Sequence, residues 1–210
     1  SVRLGFNSDQ MIVLRGVWRD AAQAVLPNLL DRLKDDPSVL SVNGQQNAPG
    51  DQGYEGRTFR VPGDMQHQNV SMESLSIDYG FLDAYQVKVL AGRAFSTAHQ
   101  GDLTVFPDDT KRETVAGAVI TRSAAEEFGF ASPEDAIGKP LDRLLGEDSD
   151  PAAMVIHYTV VGVVEDFQRR SARSKINPVV FYVDPGQFWS ISIKARAGAV
   201  AEAMAHVEEV

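Results

Sequence analysis

The side chains that could carry chemistry lie apart from one another. His67, His99, His157 and His206 fall in different stretches, and none has a second histidine at metal-ligand spacing, so each reads as a surface or interface residue. A G-x-S-x-G elbow, which would expose a serine nucleophile on a tight turn, is absent. The carboxylates Asp108-Asp109 and Glu126-Glu127 are adjacent pairs on expected surface elements, and sequence neighbours alone do not make the facing pair that acid–base chemistry requires. Gly50, Gly53 and Gly56 are evenly spaced, but Asp51 and Glu55 among them would repel a phosphate, and neither dinucleotide-binding nor Walker spacing is met. The acidic, turn-like stretch Gly146 to Pro151 lacks both the glycine and the terminal glutamate of an EF-hand and reads as a solvated hairpin or crossover. Arg169, Arg170, Arg173 and Lys175 form the one basic cluster, either a solvated loop or a docking site for an acidic partner. No catalytic, cofactor-binding or metal-binding residue is expected, and no cofactor.

The elements that must position these residues read as mixed α and β. The clearest strand is Tyr158 to Val164, a β-branched run bounded by polar residues. Simple alternation puts Tyr158, Val160 and Val164 on one face and Thr159, Val161 and Val163 on the other, with Gly162 marking a bulge or a close backbone approach. Met11 to Leu14 is a first strand. Ala22, Val25, Leu29 and Leu33 then recur at helical spacing, with Asp20 as N-cap and Pro27 forcing either a kink or a late start. Val39 to Val42 returns as a strand, so the opening suggests a βαβ or split βαβ unit. Arg57 to Val61, Val70 to Asp78, Val87 to Leu90, Val179 to Val183 and Ser190 to Ala195 complete the strands. A helix begins after Thr121, with Ser123 and Glu126 at capping-box spacing, and another after Ser132, with Pro133 at N1 and Asp135 at N3. Ala199 to Val210 has helical composition, with Val200, Met204 and Val207 as its buried stripe.

Composition narrows the function classes. The chain has 210 residues, 43% of them hydrophobic, enough to bury a core as one domain or two small ones. Its formal net charge of −9, with 20 scattered Lys and Arg, argues against nucleic acid and anionic lipid surfaces. There are no cysteines, so disulfides and cysteine-ligated metals are excluded. No apolar run approaches the ~18 residues of a membrane helix, and the opening Ser1-Val2-Arg3-Leu4-Gly5 lacks the apolar core of a signal peptide.

Four segments, in order, carry a family resemblance. Asp36-Pro37-Ser38-Val39-Leu40-Ser41-Val42 resembles a step from first helix to second strand. Ile77 to Leu82 followed by Leu90-Ala91-Gly92-Arg93-Ala94-Phe95-Ser96 resembles a "short helix, strand, GR-x-F" segment. Val119-Ile120-Thr121 with Ala124 to Gly129 resembles "strand, helix, Phe-Gly". Gly138-Lys139-Pro140-Leu141 with Tyr158 to Phe167 resembles "GK-P-L, gap, strand". In this order they resemble the extracytoplasmic core domain of MacB-like ABC transporter permeases, the broad family that includes FtsX and the lipoprotein-releasing permeases. Thr121 and Ser38 stand where many relatives have Asn and Gly, so neither is given a family role, and the acidic segment Gln100 to Glu113 is longer than usual.

The resemblance implies an α/β (α+β) fold of two mixed-sheet lobes: a porter-like βαβ lobe from residues 1–65 plus 176–210, near the membrane, and an inserted distal lobe from 66–175. It places Arg93 in the GR-x-F segment; structural roles are expected for Gly92, Arg93, Phe95, Gly138 and Gly162, with Arg93 clamping Asp78 or Asp83 rather than a ligand, and Arg169, Arg170, Arg173 and Lys175 are the candidate partner contact if they are more than a solvated loop. The chain is expected to be a piece of a longer multi-pass permease at the periplasmic face of a bacterial inner membrane. Its partners would be an ABC ATPase on a separate domain or subunit, a periplasmic adaptor or other extracytoplasmic protein, and a second permease in a homodimer or pair. The domain itself would be non-catalytic and would transmit ATP-driven conformational change. A ligand- or peptide-binding sensor domain and a hydrolase built from distant carboxylates are the alternatives.

Overall fold

The β-branched run around Val160 extends into an eleven-residue strand, and its neighbours set the architecture. The computed structural model describes residues 10–16, 28, 30–48, 56–67, 69–146, 154–166 and 178–209. Among them the strands are β1 (Met11–Arg15), β2 (Val39–Gln45), β3 (Gly56–Arg60), β4 (Val70–Ser76), β5 (Val89–Gly92), β6 (Glu113–Thr121), β7 (Pro140–Leu145), β8 (Met154–Val164), β9 (Val179–Tyr182) and β10 (Ser190–Ala195). The helices are α1 (residues 30–34), α2 (Phe81–Ala84), α3 (Arg122–Glu127), α4 (Pro133–Ala136) and α5 (Val200–Glu209).

A three-stranded sheet has the order β1-β10-β2, with β10 antiparallel to both neighbours. β1 and β2 are therefore parallel with the last strand slotted between them, the split form of βαβ. Leu33 of α1 and Ala203 of α5 pack on Val39, Val42, Ile191, Ile193 and Ala195. In α5 the expected stripe is corrected by one position: Met204 is 48% exposed, while Ala203 is fully buried between the partly buried Val200 and Val207. Positions 200, 203 and 207 still follow the helical repeat, and the small Ala203 side chain lets the helix lie close to the sheet.

The second sheet has seven strands in the order β5-β8-β6-β9-β4-β3-β7, and β7 also pairs with β8. Leaving β5 aside, the other six close into a ring, which removes the open edges that a flat sheet would expose. One face gathers Phe59, Met72, Ala116, Ala118, Ile120, Leu141, Ile156, Tyr158, Val160, Val180 and Tyr182, joined by Ala124, Ala125 and Phe128 from α3. The opposite face, with Leu75, Val119, Val164, Val179 and Phe181, packs on α2 through Phe81, Leu82 and Tyr85.

The expected chain division does not follow the sheets. The expected division puts β3 and β9 in the lobe that holds both ends, whereas both pair inside the larger sheet. They have to: β3 links β4 to β7, and β9 links β4 to β6, so neither can leave without opening the ring. α3 begins directly after Thr121, as expected, but Thr121 rather than Ser123 is its N-cap, its Oγ1 accepting from Ala124 N at 3.3 Å and also from Val179 N at 3.0 Å, which ties β6 to β9. Ser132 caps α4 by accepting from Asp135 N, with Pro133 in the first turn.

Alternation along β8 is corrected as well. Opposite β6 the register skips one residue, Ala118 pairing with Val160 and Val119 with Gly162. This bulge moves Val163 to the face of Tyr158 and Val160, and Val164 to the face of Val161. At the bulge a Cβ on Gly162 would fall onto the Arg93 carbonyl oxygen, a backbone atom with no freedom to retreat. Gly162→Val is expected to cost about 3 kcal/mol, the upper end for overpacking, or roughly 6–12 °C of melting temperature in a chain of this size. Gly101→Ala, at a position with nothing within 4 Å, is the control and leaves the melting temperature unchanged.

Candidate functional site

β5 ends in Gly92 at φ +68, a left-handed conformation that a side chain resists, where a Cβ would strike the Val161 carbonyl. This close approach sets up the next residue. Arg93 N donates to Val161 O at 3.0 Å, and its guanidinium makes a two-pronged contact with Asp102, Nη1 to Oδ2 at 2.7 Å and Nη2 to Oδ1 at 2.9 Å. Ser96 N adds a donor to Asp102 Oδ2 at 2.9 Å. The carboxylate is 1% exposed. Burial works against its ionisation, but the Arg93 hydrogen bonds, the Ser96 amide and the charges of Arg93 and His99 outweigh burial and hold its carboxyl below the usual range.

The clamp therefore exists with a different partner from those expected. Asp78 is occupied elsewhere, accepting from Gly44 N and Tyr79 N, and Asp83 lies exposed on α2. The structure brings Gly92, Arg93, Gly138 and Gly162 together along one seam, where Gly138 N donates to Val160 O at 2.8 Å and Arg93 meets Val161 and Gly162. Phe95 is buried against Phe81 and Phe181 in the neighbouring core. Arg169, Arg170, Arg173 and Lys175 lie outside the described residues, as does the stretch 49–55 with Gly50 and Gly53.

Two groups on β7 were not legible in the sequence. Asp142 accepts from Arg60 Nε at 2.9 Å and meets His157 Nδ1 at 2.7 Å, while His157 Nε2 lies 3.7 Å from Glu113 Oε2. A histidine oriented by a buried carboxylate has the first half of a triad. Here its second nitrogen faces another acid rather than a hydroxyl, which leaves no nucleophile to activate. Its neighbour in sequence, Arg143, points to the other face of the strand and is buried. The remaining histidines are dispersed: His67 Nδ1 meets Asp64 Oδ2 at 2.7 Å in a loop, and His99 precedes a 3-10 turn at Gln100–Asp102. Among the described residues no group of three His, Asp or Glu is placed to hold a metal ion, and no helix is long and apolar enough to cross a membrane.

Asp102→Asn leaves Arg93 without its countercharge. The expected loss is about 3 kcal/mol, the low end for a broken buried pair, because 35% of the Arg93 side chain stays exposed. The folded carboxylate titrates below its unfolded value of about 3.9, so its contribution is complete above that pH and fades as pH falls through the folded value. Urea unfolding should show a wild-type-to-variant gap that is constant between about pH 6 and 8 and closes below about pH 4. A gap that persists undiminished in acid contradicts the ion pair as its source.

Comparisons with known proteins agree with this architecture. The periplasmic region of MacB from Actinobacillus actinomycetemcomitans superposes with a TM-score of 0.57 at 15% identity, covering 98% of this chain and 84% of that one. A domain of a putative permease protein from Porphyromonas gingivalis gives 0.55 at 17% identity over 97% and 85%. The extracellular domain of the noncanonic ABC-type transporter YknZ from Gram-positive bacteria gives 0.50 at 16% identity over 84% and 76%. No curated protein matches the chain. The family described as MacB-like periplasmic core domain matches residues 2–210, and the chain belongs to that family of ABC transporter permease domains.

Proposed function

We propose that this domain is a non-catalytic extracytoplasmic part of an ABC transporter permease that carries ATP-driven movement outward to a partner or substrate. The observation that supports this reading most is the joint between the two sheets. β1 and β10 lie in the small sheet and α5 packs on it, so the first and last described elements share one body, which on this reading faces the membrane. The ring then projects away from it.

The joint is made of backbone and buried polar contacts, which resist shear better than a loose apolar contact does. Gln46 N donates to Ser76 O at 2.8 Å and Asp78 N to Gly44 O at 2.9 Å, so the end of β2 is bonded to the end of β4. Lys194 Nζ donates to Ala84 O at 3.0 Å, and the hydroxyls of Tyr85 and Ser192 meet between α2 and β10. Phe188 covers Gly44, where a Cβ would collide with its ring. Dense interiors transmit displacement because they are poorly compressible. Family membership adds an ABC ATPase as the working partner of the parent permease, and the basic residues Arg169, Arg170, Arg173 and Lys175 are proposed as the contact with an acidic extracytoplasmic protein.

Tyr85→Phe combined with Lys194→Met loosens the joint while leaving both cores intact. Two lost hydrogen bonds cost about 2 kcal/mol, or roughly 4–8 °C of melting temperature. In the full-length permease with its ATPase, ATP hydrolysis should continue while transport falls several-fold. Transport that stays coupled to hydrolysis in the double variant would refute transmission through this joint, and turnover of ester, phosphate or glycoside substrates by the isolated chain would refute the non-catalytic reading.

A further inference from the structure

Among the described residues, the ring encloses a cation with no ion-pair partner. β7 sends Arg143 to the inner face, where it is 5% exposed and where its Nε and Nη1 have no hydrogen-bond partner. The strand register places Arg143 beside Ile156 and Ile156 beside Thr114, so Arg143 and Thr114 share one row on the same face. The Thr114 hydroxyl is also unpartnered, as is the hydroxyl of Tyr158 in the next inward row of β8. The segment after Asp102 crosses this end of the ring, held by Thr104 N donating to Val183 O at 2.8 Å. It turns Thr104 inward with an unpartnered Oγ1, Val105 outward, and Phe106 against the Tyr182 ring.

The two rings fix how Arg143 can be approached. Its guanidinium carbon lies 5.2 Å from the centroids of both Phe106 and Tyr182, so aromatic faces cover the group and only its in-plane N–H bonds are left to find an acceptor. Arginine does not shed its proton at any relevant pH, so the usual escape for a buried charge is closed. The charge of Arg143 acts on Asp184, but among the described residues no ion pair joins the two. Burial raises the Asp184 carboxyl, the Gly186 amide and Arg143 opposing, which weakens it as a countercharge. Arg143 and Thr104 both approach the Tyr158 hydroxyl and partly offset the rise that burial imposes on it, and Arg143 does the same at Tyr182, but neither approach to Tyr158 has the geometry of a hydrogen bond. Burial pushes the Tyr158 hydroxyl far up, so it remains a neutral donor.

A buried, permanent cation with unused planar donors, and hydroxyl donors on either side of it, is the arrangement that recognises a carboxylate. We infer that the inner end of the ring is a carboxylate-binding site, with Arg143 as the charged fork and Tyr158 and Thr104 as hydroxyl donors. The carboxylate is either a small free acid or the C-terminal end of a polypeptide. Thr104 and Phe106 lie on the crossing segment, so an occupied site also pins that segment onto the ring. This inference rests on the ring alone and stands apart from the transporter reading.

The test follows the Arg143 Nε–H resonance of the isotope-labelled chain by NMR while sodium acetate, sodium chloride, trialanine or trialanine amide is added at fixed ionic strength. Acetate should displace the resonance saturably, in the roughly 1–50 mM range of a very small ligand, and chloride should not. Trialanine acting well below the acetate range identifies a polypeptide end, and trialanine acting no better identifies a small free acid. The amide should be silent in both cases. Arg143→Gln can fail to fold, so Tyr158→Phe carries the second arm: it loses no existing hydrogen bond, so the unliganded melting temperature stays put while half-saturation by acetate rises about fivefold. No carboxylate response, an equal response to chloride, or a Tyr158→Phe titration identical to wild type overturns the site.

Discussion

Closure of the ring through β8 is the constraint on which the rest depends. One edge of β8 is paired along its whole length with β6. The other edge changes partner midway, from β7 over Met154 to Thr159 to β5 over Gly162 to Val164. The handover is kept continuous by Gly138 N and Lys139 O on Val160 and by Arg93 N on Val161 O. A strand can serve two neighbours on one edge only if both backbones come close at the handover, and that is where Gly92 and Gly162 stand. The Arg93–Asp102 pair then ties the β5 side of this seam to the segment that crosses the ring's end.

The same geometry explains why so much polar material is buried. A closed ring buries inward side chains from six strands whatever their chemistry, and Arg143, Thr114, Ser74 and Tyr158 are buried because each falls on an inward position of its own strand. On the outer surface, Asp142 collects Arg60 and His157 from the two strands that flank β7. Alternation along one strand thus separates an ion-paired acid outside from an uncompensated base inside. Pairing satisfies the first in place; the second has aromatic faces and neutral hydroxyls about it and no ion pair among the described residues.

What the sequence revealed and what it hid follow from the range of the interactions. Tyr158 to Val164 was legible as a strand because β-branched residues state their preference locally, and Ser132 was legible as a cap because its acceptor role acts three residues away. The split βαβ opening was legible because its helix and strands are consecutive. The parity change after Gly162 was not, since a bulge is a relation between two strands and a glycine only permits it. Nor was the membership of β3 and β9 in the ring, or the choice of Asp102 by Arg93 over Asp78 and Asp83, because each is decided by which backbone lies alongside. Neither β7 nor the burial of Arg143 was legible, because no local pattern marks them. Its burial comes from the ring closing around it, a property of all six strands together.

The central claim is that the small sheet and the ring move as one body when the parent permease cycles. Leu40 on β2 and Val115 on β6 are exposed, at 52% and 73%, and these 210 residues contain no cysteine, so only cysteines elsewhere in the permease need replacing by serine before labelling. Spin labels at Leu40→Cys and Val115→Cys in the intact permease, measured by pulsed electron resonance without nucleotide and with ATP trapped, report the separation of the two bodies directly. The account predicts the same narrow distance distribution in both states. A shift or splitting of that distribution between them would show the joint bending and would contradict it.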